Sequence, residues 1–208
     1  MKHLFTNIIF FLLASCLALS AQTQGGKSSI IDAYEQKNSS VAISTNALYD
    51  AFLIPNLGLE VKVHDNWTIA ANGMWAWWTF ETRHVYWRIY GGDLAVRRYF
   101  GKQSKKNRSM TGHHTGLYGQ VLSYDFQLGN FGRMSPTLSY AAGVEYGYSF
   151  PVANSLNIDC TVGIGYLGGY CDDYVKMDDH NVWKATVKQM WFGPTKASIS
   201  LVWLLGSK

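Results

Sequence analysis

Apolar and polar residues alternate along most of the chain after residue 40. Such a period of two is typical of a β-strand with two unlike faces, because successive side chains point to opposite sides of the sheet. One clear run lies in the segment Leu156–Tyr166, where apolar residues at even positions alternate with polar residues or glycine. The alternation predicts eight strands: Val41–Leu53, Asn56–Val63, Trp67–Trp75, His84–Phe100, Thr115–Leu128, Leu138–Phe150, Leu156–Tyr166 and Thr195–Leu205.

Glycine, proline and polar residues separate these strands. Strands of about ten residues have the length needed to cross a bilayer at a tilt. Beyond the first twenty residues, no apolar run approaches the ~18 residues of a membrane-spanning helix. The pattern therefore predicts an all-β fold, an eight-stranded antiparallel transmembrane β-barrel, over residues 41–208.

The composition of the two strand faces indicates which face points inward. Only 15% of the residues are charged, while the chain contains 20 Gly, 8 Trp, 13 Tyr and 10 Phe. The polar faces are mostly Gly, Ser, Thr and Ala, which suit a crowded lumen. Faces with an aromatic residue at alternate positions would overfill an eight-stranded interior, but they suit lipid. The alternative, a soluble periplasmic lipocalin-like binding barrel, turns these aromatic residues inward.

The first residues have the layout of a signal peptide. Lys2 precedes an apolar stretch, and Ala18-Leu19-Ser20-Ala21 offers small residues for cleavage, so residues 1–21 are predicted to be a signal peptide. An alternative is a lipoprotein signal, in which Cys16 is acylated. Residues 22–40 form a polar stretch without a sustained period, which predicts a periplasmic tether. The formal net charge of +4 is too mild to indicate a nucleic-acid partner.

Several motifs of the chain occur together in one known family. The most specific is Asn46-Ala47-Leu48-Tyr49-Asp50 followed by Pro55-Asn56-Leu57-Gly58-Leu59-Glu60; Trp67, the cluster Trp75-Ala76-Trp77-Trp78, Trp87 and the run Asp93–Phe100 accompany it. These motifs resemble a domain-of-unknown-function family of small outer-membrane barrels of Bacteroidota, which is similar in architecture to the OmpA and OmpX barrels. The resemblance implies a fold and a location but no reaction.

Seven charged residues fall on the small-residue faces of the predicted strands. They form a predicted lumen charge network of Asp50, Glu60, Lys62, Asp93, Arg97, Glu145 and Asp159. Buried charges must be paired, and Arg97 is the expected centre because its five donors can serve two carboxylates. The interpretation we favour is a structural plug of salt bridges, because eight strands leave room only for side chains. A proton or ion relay is the alternative.

Other chemistry-bearing residues indicate weaker candidates. The segment Gly168–Pro194 contains Asp172, Asp173, Asp178, Asp179 and His180, but without the spacing of a calcium loop, so no metal site and no cofactor are predicted. The basic turn Lys102–His114 would bind anionic groups or simply be solvated. Cys160 and Cys171 can form a disulfide only if the chain reverses at Gly168-Gly169.

The predicted protein is not an enzyme. It is an outer-membrane barrel of structural or interaction type with no open pore, located in the outer membrane of a Gram-negative bacterium, with surface adhesion or fimbria-type appendage assembly as its setting. Its expected partners are outer-membrane lipid and a protein at the extracellular loops, which are predicted to be Trp75–Arg83, Gly129–Pro136 and Gly168–Pro194. The chain is expected to be a monomer. The alternative is a lipid-modifying enzyme resembling a lipid A deacylase, with His84 and one of Ser123, Ser135 or Ser139.

Overall fold

The computed structural model describes residues 39–80, 85–101, 110–177 and 180–206. The predicted signal peptide, most of the predicted tether, His84 and the Asp178-Asp179 pair lie outside these ranges. The elements are β1 (Val41–Asn46), α1 (Ala47–Ala51), β2 (Asn56–His64), β3 (Trp67–Phe80), β4 (Val85–Phe100), β5 (Gly112–Leu128), β6 (Phe131–Met134), β7 (Ser139–Ala153), β8 (Leu156–Met177) and β9 (His180–Leu205). The only helix described is far too short to cross a membrane.

The described strands form one antiparallel sheet that closes on itself. Each strand from β1 to β5 pairs with the next along the chain, β5 pairs with β7, β7 with β8, β8 with β9, and β9 pairs with β1. We call the end of the ring where β1 begins the entry end, and the end that carries α1 the helix end. Closure leaves the ladder of hydrogen bonds without a free edge where β1 and β2 are present.

Nine strands are described, but the ring has only eight strand positions, because β6 and β7 share the position between β5 and β8. β6 pairs with β5 and β8 at the helix end, while β7 pairs with the same two strands nearer the entry end. The short strand β6 lies inside the segment Gly129–Pro136, which the sequence predicts to be a loop. Four residues are too few for alternation to be recognised, so the pairing of β6 with its neighbours identifies it as a strand.

The first predicted strand, Val41–Leu53, ends early. β1 stops at Asn46, whose side-chain Oδ1 accepts a hydrogen bond from the Leu48 N–H at 3.1 Å and so caps α1. After the helix, the indole N–H of Trp78 donates to Leu53 O at 2.7 Å, and that of Trp87 donates to Phe52 O at 3.0 Å. The most specific motif of the sequence therefore folds into a helix tied to the ring by two tryptophans.

The predicted loop Gly168–Pro194 is a hairpin instead. β8 continues through the glycine pair to Met177, and β9 starts at His180 rather than Thr195. Pro194 pairs with Ile164 next to a register shift between β8 and β9, beyond the part of β9 that pairs with β1; proline is tolerated in strands at such bulges and edges. β3 also continues past Trp75 to Phe80, so the predicted loop Trp75–Arg83 begins later than expected.

Side-chain exposure alternates in the opposite sense to that of a water-soluble protein. Leu117 and Trp75 on the outer face are 66% and 67% exposed, whereas Glu145 and Asp159 on the inner face are 1% and 3% exposed. The outer face is rich in large apolar side chains, and the interior contains Glu, Asp, Arg, Lys, His, Thr and Asn. The distribution follows the small-residue and aromatic faces of the sequence.

Glycine makes room in this interior. A Cβ added at Gly143 of β7 would lie 2.2 Å from the carbonyl oxygen of Ile164 on β8, a backbone atom that cannot move without disturbing the ladder. On the outer face, a Cβ added at Gly119 meets no atom within 4 Å. The two glycines therefore differ in the space around them.

We expect Gly143→Ala to lower the free energy of unfolding by about 1–3 kcal/mol through overpacking. The matched control, Gly119→Ala, should change it by less than about 0.5 kcal/mol. Urea unfolding followed by tryptophan fluorescence measures both. Equal stability of the two variants would contradict the close approach of β7 and β8.

Candidate functional site

Arg97 lies at the centre of the polar interior. Its side chain projects inward from β4 and is 7% exposed. Nε donates to Glu145 Oε1 at 2.6 Å, and Nη1 donates to Glu60 Oε2 at 2.9 Å. Glu60 belongs to β2 and Glu145 to β7, and neither strand is adjacent to β4 in the ring. One guanidinium therefore joins three separated parts of the wall.

A second cation, Lys196 of β9, extends this arrangement. Its Nζ lies 3.0 Å from Glu145 Oε2 and 2.5 Å from Asp93 Oδ1. Asn72 donates to the same Asp93 oxygen at 3.0 Å. We call Glu60, Asp93, Arg97, Glu145 and Lys196 the interior network.

Hydroxyl groups complete the coordination of Glu60. Thr68 Oγ1 donates to Glu60 Oε1 at 2.6 Å, and Tyr99 OH donates to the same oxygen at 2.9 Å. With Arg97 on the other oxygen, this carboxylate has three donors. A buried carboxylate held in this way is stabilised in its charged form by donors that are already oriented.

A second buried cluster contains Asp159. Its Oδ2 lies 2.8 Å from His114 Nε2, and Thr161 Oγ1 donates to its Oδ1 at 2.6 Å. The Tyr99 and His114 ring centroids are 5.1 Å apart, so Tyr99 connects this cluster with the interior network. His114 is completely buried, and Asp159 and Thr161 are 3% and 1% exposed.

A small polar cavity of about 30 Å³ lies between the interior network and α1. Asn46, Asn56 and Asn72 are among its lining residues, with Asp93 and Lys196 at its deeper part. A polar space of this size suits water molecules rather than an organic substrate. The geometry thus describes a filled, hydrogen-bonded interior.

Five of the seven predicted lumen residues lie in the buried interior. Four of them belong to the interior network, and the fifth, Asp159, belongs to the second cluster. Asp50 does not join them, because it lies on α1, is exposed, and accepts hydrogen bonds from Thr45 Oγ1 and Asn56 Nδ2. Lys62 is half-buried and forms no ion pair with the described residues.

Sequence reasoning missed Lys196, Tyr99 and His114. Lys196 shares its face with Ser198 and Ser200, so the alternation that located Arg97 would also have found Lys196. His114 was assigned to the basic turn Lys102–His114, but β5 already begins at Gly112 and directs His114 inward. Its neighbour His113 points to the other face and stacks on Phe100, with ring centroids 5.7 Å apart.

The serines of the hydrolase alternative lie on β5, just after β6 and at the start of β7. Ser135 and Ser139 contact each other, with 3.1 Å between their Oγ atoms. Neither hydrogen-bonds to a histidine within the described ranges, and His84 lies outside them. Ser123 lies on β5 opposite Tyr90.

The acidic residues and cysteines of the hairpin are distributed along extended strands. Asp173 accepts two hydrogen bonds from Arg133, at 2.6 and 3.0 Å, and Asp172 accepts one from Thr186. No group of three or more His, Cys, Asp or Glu side chains suited to a metal ion occurs among the described residues. Cys160 and Cys171 lie on the same extended strand, β8, which keeps them too far apart to pair with each other.

The fold and its interior define a class of protein: an all-β chain whose closed antiparallel sheet surrounds a buried network of charges. A family model described as "Protein of unknown function (DUF3575)" matches residues 7–205, and the chain belongs to this family. No curated protein matches the chain. No solved structure matches it either.

We expect Arg97→Met to lower the free energy of unfolding by about 3–5 kcal/mol, because it leaves Glu60 and Glu145 buried without their shared cation. The neighbouring Arg98 provides a matched control. Its side chain is exposed and lies over Trp67 at 5.6 Å, so Arg98→Met should cost less than about 1 kcal/mol. Urea unfolding measures both variants.

A double-mutant cycle of Arg97→Met with Glu60→Gln separates the pair from the rest of the network. We expect a coupling energy above about 0.5 kcal/mol, as for residues in direct contact. Additive effects of the two substitutions would show that the Arg97–Glu60 contact does not stabilise the fold.

Proposed function

We propose that this protein is an outer-membrane β-barrel of structural or interaction type, with no open pore. The observation that carries the proposal is the inverted distribution of side chains, with apolar groups exposed around the ring and charged groups buried inside it. An exposed apolar surface of this extent is unfavourable in water but suits lipid. A closed sheet also satisfies its backbone hydrogen bonds, which the hydrocarbon region of a membrane requires.

The exposed apolar residues form a belt around the ring. At its entry end lie Trp67, Phe100 and Trp203, and towards the helix end lie Trp75, Trp77, Tyr90, Tyr140 and Tyr166. Aromatic rings at two levels with aliphatic residues such as Leu117 and Val144 between them are typical of a membrane-facing surface. This arrangement supports placement of the belt in a bilayer.

Ion pairs lie at the limit of the belt nearest the helix end, which we call its upper limit. Arg88 lies 3.6 Å from Asp125, beyond Tyr90 and Val121 towards the helix end, and Arg133 pairs with Asp173 at the same end. The hydrogen bonds from Arg133 lower the pKa of Asp173 below its usual range. Charged pairs at these positions suit the aqueous side of the membrane boundary.

The filled interior supports the absence of a pore. The interior network, Tyr118 and α1 occupy the space between the walls, and the cavity of about 30 Å³ holds only water-sized groups. The phenol ring of Tyr118 lies 5.1 Å from Lys196 Nζ. An interior that neither conducts nor admits substrate leaves the ends of the barrel as the places for interaction.

Membrane fractionation tests the proposal. The mature protein should sediment with outer membranes and resist carbonate extraction, and its mobility on a denaturing gel should depend on prior heating, because a closed barrel resists unfolding by detergent. Recovery as a soluble periplasmic protein would overturn the proposal and favour the lipocalin-like alternative.

The substitution Val144→Arg distinguishes lipid from water at the outer face. Val144 is 57% exposed in the belt, so arginine there should cost about 2–4 kcal/mol in a bilayer, whereas an exposed valine facing water would tolerate it. Urea unfolding in lipid vesicles measures the difference.

The exposed turn residue Asn130 provides the control. Asn130→Arg should change the stability by less than about 0.5 kcal/mol in the same vesicles. If Val144→Arg were equally neutral, the outer face would not contact lipid.

A further inference from the structure

At the helix end the β8–β9 hairpin continues past the end of β1. We define the projecting hairpin as residues 170–177 of β8 and 180–188 of β9, which lie at and beyond the level of the ion pairs. β1 pairs with β9 only from Asn46↔Ser200 towards the entry end, while the pairing of β8 with β9 continues to Met177↔His180. Within the described ranges, the edge of β9 from Asn181 to Gly193 therefore carries no second strand. Its backbone N–H and C=O groups on that side are open to pairing.

Apolar side chains are exposed on both faces of β9 along this edge. Val182 and Val187 lie on one face and are 44% and 43% exposed, while Trp183 lies on the other and is 63% exposed. The ion pairs at the upper limit of the belt place the hairpin on the aqueous side in the proposed orientation. Exposed apolar groups beside a free strand edge are the features of a surface that binds a partner.

The residues of β9 itself carry charge of one sign along this edge; on the neighbouring β8, Asp173 is bound by Arg133 and Asp172 accepts a hydrogen bond from Thr186. From Asn181 to Pro194, β9 carries two lysines, Lys184 and Lys188, and no acidic residue. Both lysines are exposed. Lysine on an edge strand opposes pairing with a basic or identical strand, whereas an acidic strand gains from it.

We propose that the free edge of β9 in the projecting hairpin binds an extended, acidic segment of a partner polypeptide by β-strand addition. The inference rests on the proposed function, because the membrane orientation places the hairpin outside the bilayer. A polypeptide is the occupant that supplies backbone donors and acceptors along the whole edge, and its apolar side chains cover Val187 and Trp183.

Other occupants fit these features less well. A lipid offers acyl chains to the apolar side chains but no periodic hydrogen-bonding partner to the backbone. A second copy in the same membrane presents a β9 strand that runs in the same direction and carries the same two lysines, so its charges repel. The acidic polypeptide matches the backbone, the apolar groups and the charge together.

Fluorescence anisotropy with labelled synthetic peptides tests the proposal on the purified full chain in detergent micelles. The probe is a peptide of about ten alternating valine and threonine residues in which two threonines, four positions apart, are replaced by glutamate. A second peptide has lysine in place of both glutamates. We expect the acidic peptide to bind about tenfold more tightly than the basic one.

Charge reversal identifies the edge that binds. The double variant Lys184→Glu with Lys188→Glu should reverse the preference between the two peptides. Asn130→Glu adds a negative charge at the same end of the molecule but in the turn between β5 and β6 rather than on β9, and it should leave the preference within about twofold of the unsubstituted protein. An unchanged preference in the double variant would overturn the proposal.

Amide hydrogen exchange reports the mode of binding. The acidic peptide should slow exchange at residues 181–188 of β9, because new backbone hydrogen bonds form there. Binding without such protection, or equal binding of both peptides, would overturn strand addition. Heat-dependent gel mobility of the same samples shows whether the barrel is intact, so failure of the peptide to bind an intact barrel counts against this inference alone. Loss of that mobility shift would instead count against the proposed function.

Discussion

The contact of Arg97 with Glu60 and Glu145 holds together parts of the wall that share no backbone pairing. Three strands contribute these side chains, and between each pair of them another strand intervenes in the ring. Each charge is buried, so each depends on the others for compensation. Because the contacts form only when the sheet is closed, the charges favour the closed arrangement over an open sheet, in which they would be solvated separately.

This constraint determines what fills the rest of the interior. Space for the long side chains of Arg97, Lys196 and Tyr118 comes from glycine on facing strands; a Cβ at Gly163 would lie 2.7 Å from the Tyr118 ring and 2.9 Å from Lys196 Cβ. Small residues and charges thus occur on the same strand faces for one physical reason. A ring filled in this way leaves little free space among the described residues, and the cavity beside α1 measures about 30 Å³.

The two ends of the molecule differ because the strands have different lengths. β1 and β2 end at the level of α1, while β3, β4, β5, β6, β8 and β9 continue towards the helix end. Beyond the ends of β1 and β2, part of the gap in the ring is occupied by α1 and by the two tryptophans that hydrogen-bond to the residues after it. Above them β9 has only one neighbour, which gives this end an exposed edge that the entry end lacks.

Alternation along the chain was sufficient to predict most of the strands and to place Arg97, Glu60 and Glu145 on the small-residue faces, because a strand has only two faces and small residues identify one of them. The path of residues 46–55, the short strand β6 and the hairpin after Gly168 depended on the tertiary structure. Asn46 caps a helix whose end two distant tryptophans hold, and Pro194 lies in β9 next to a register shift that only the pairing with β8 reveals. The partners of Asp50 and His114 likewise come from other segments. The local pattern determines towards which face of the sheet a side chain points, while closure of the ring determines which residues it contacts.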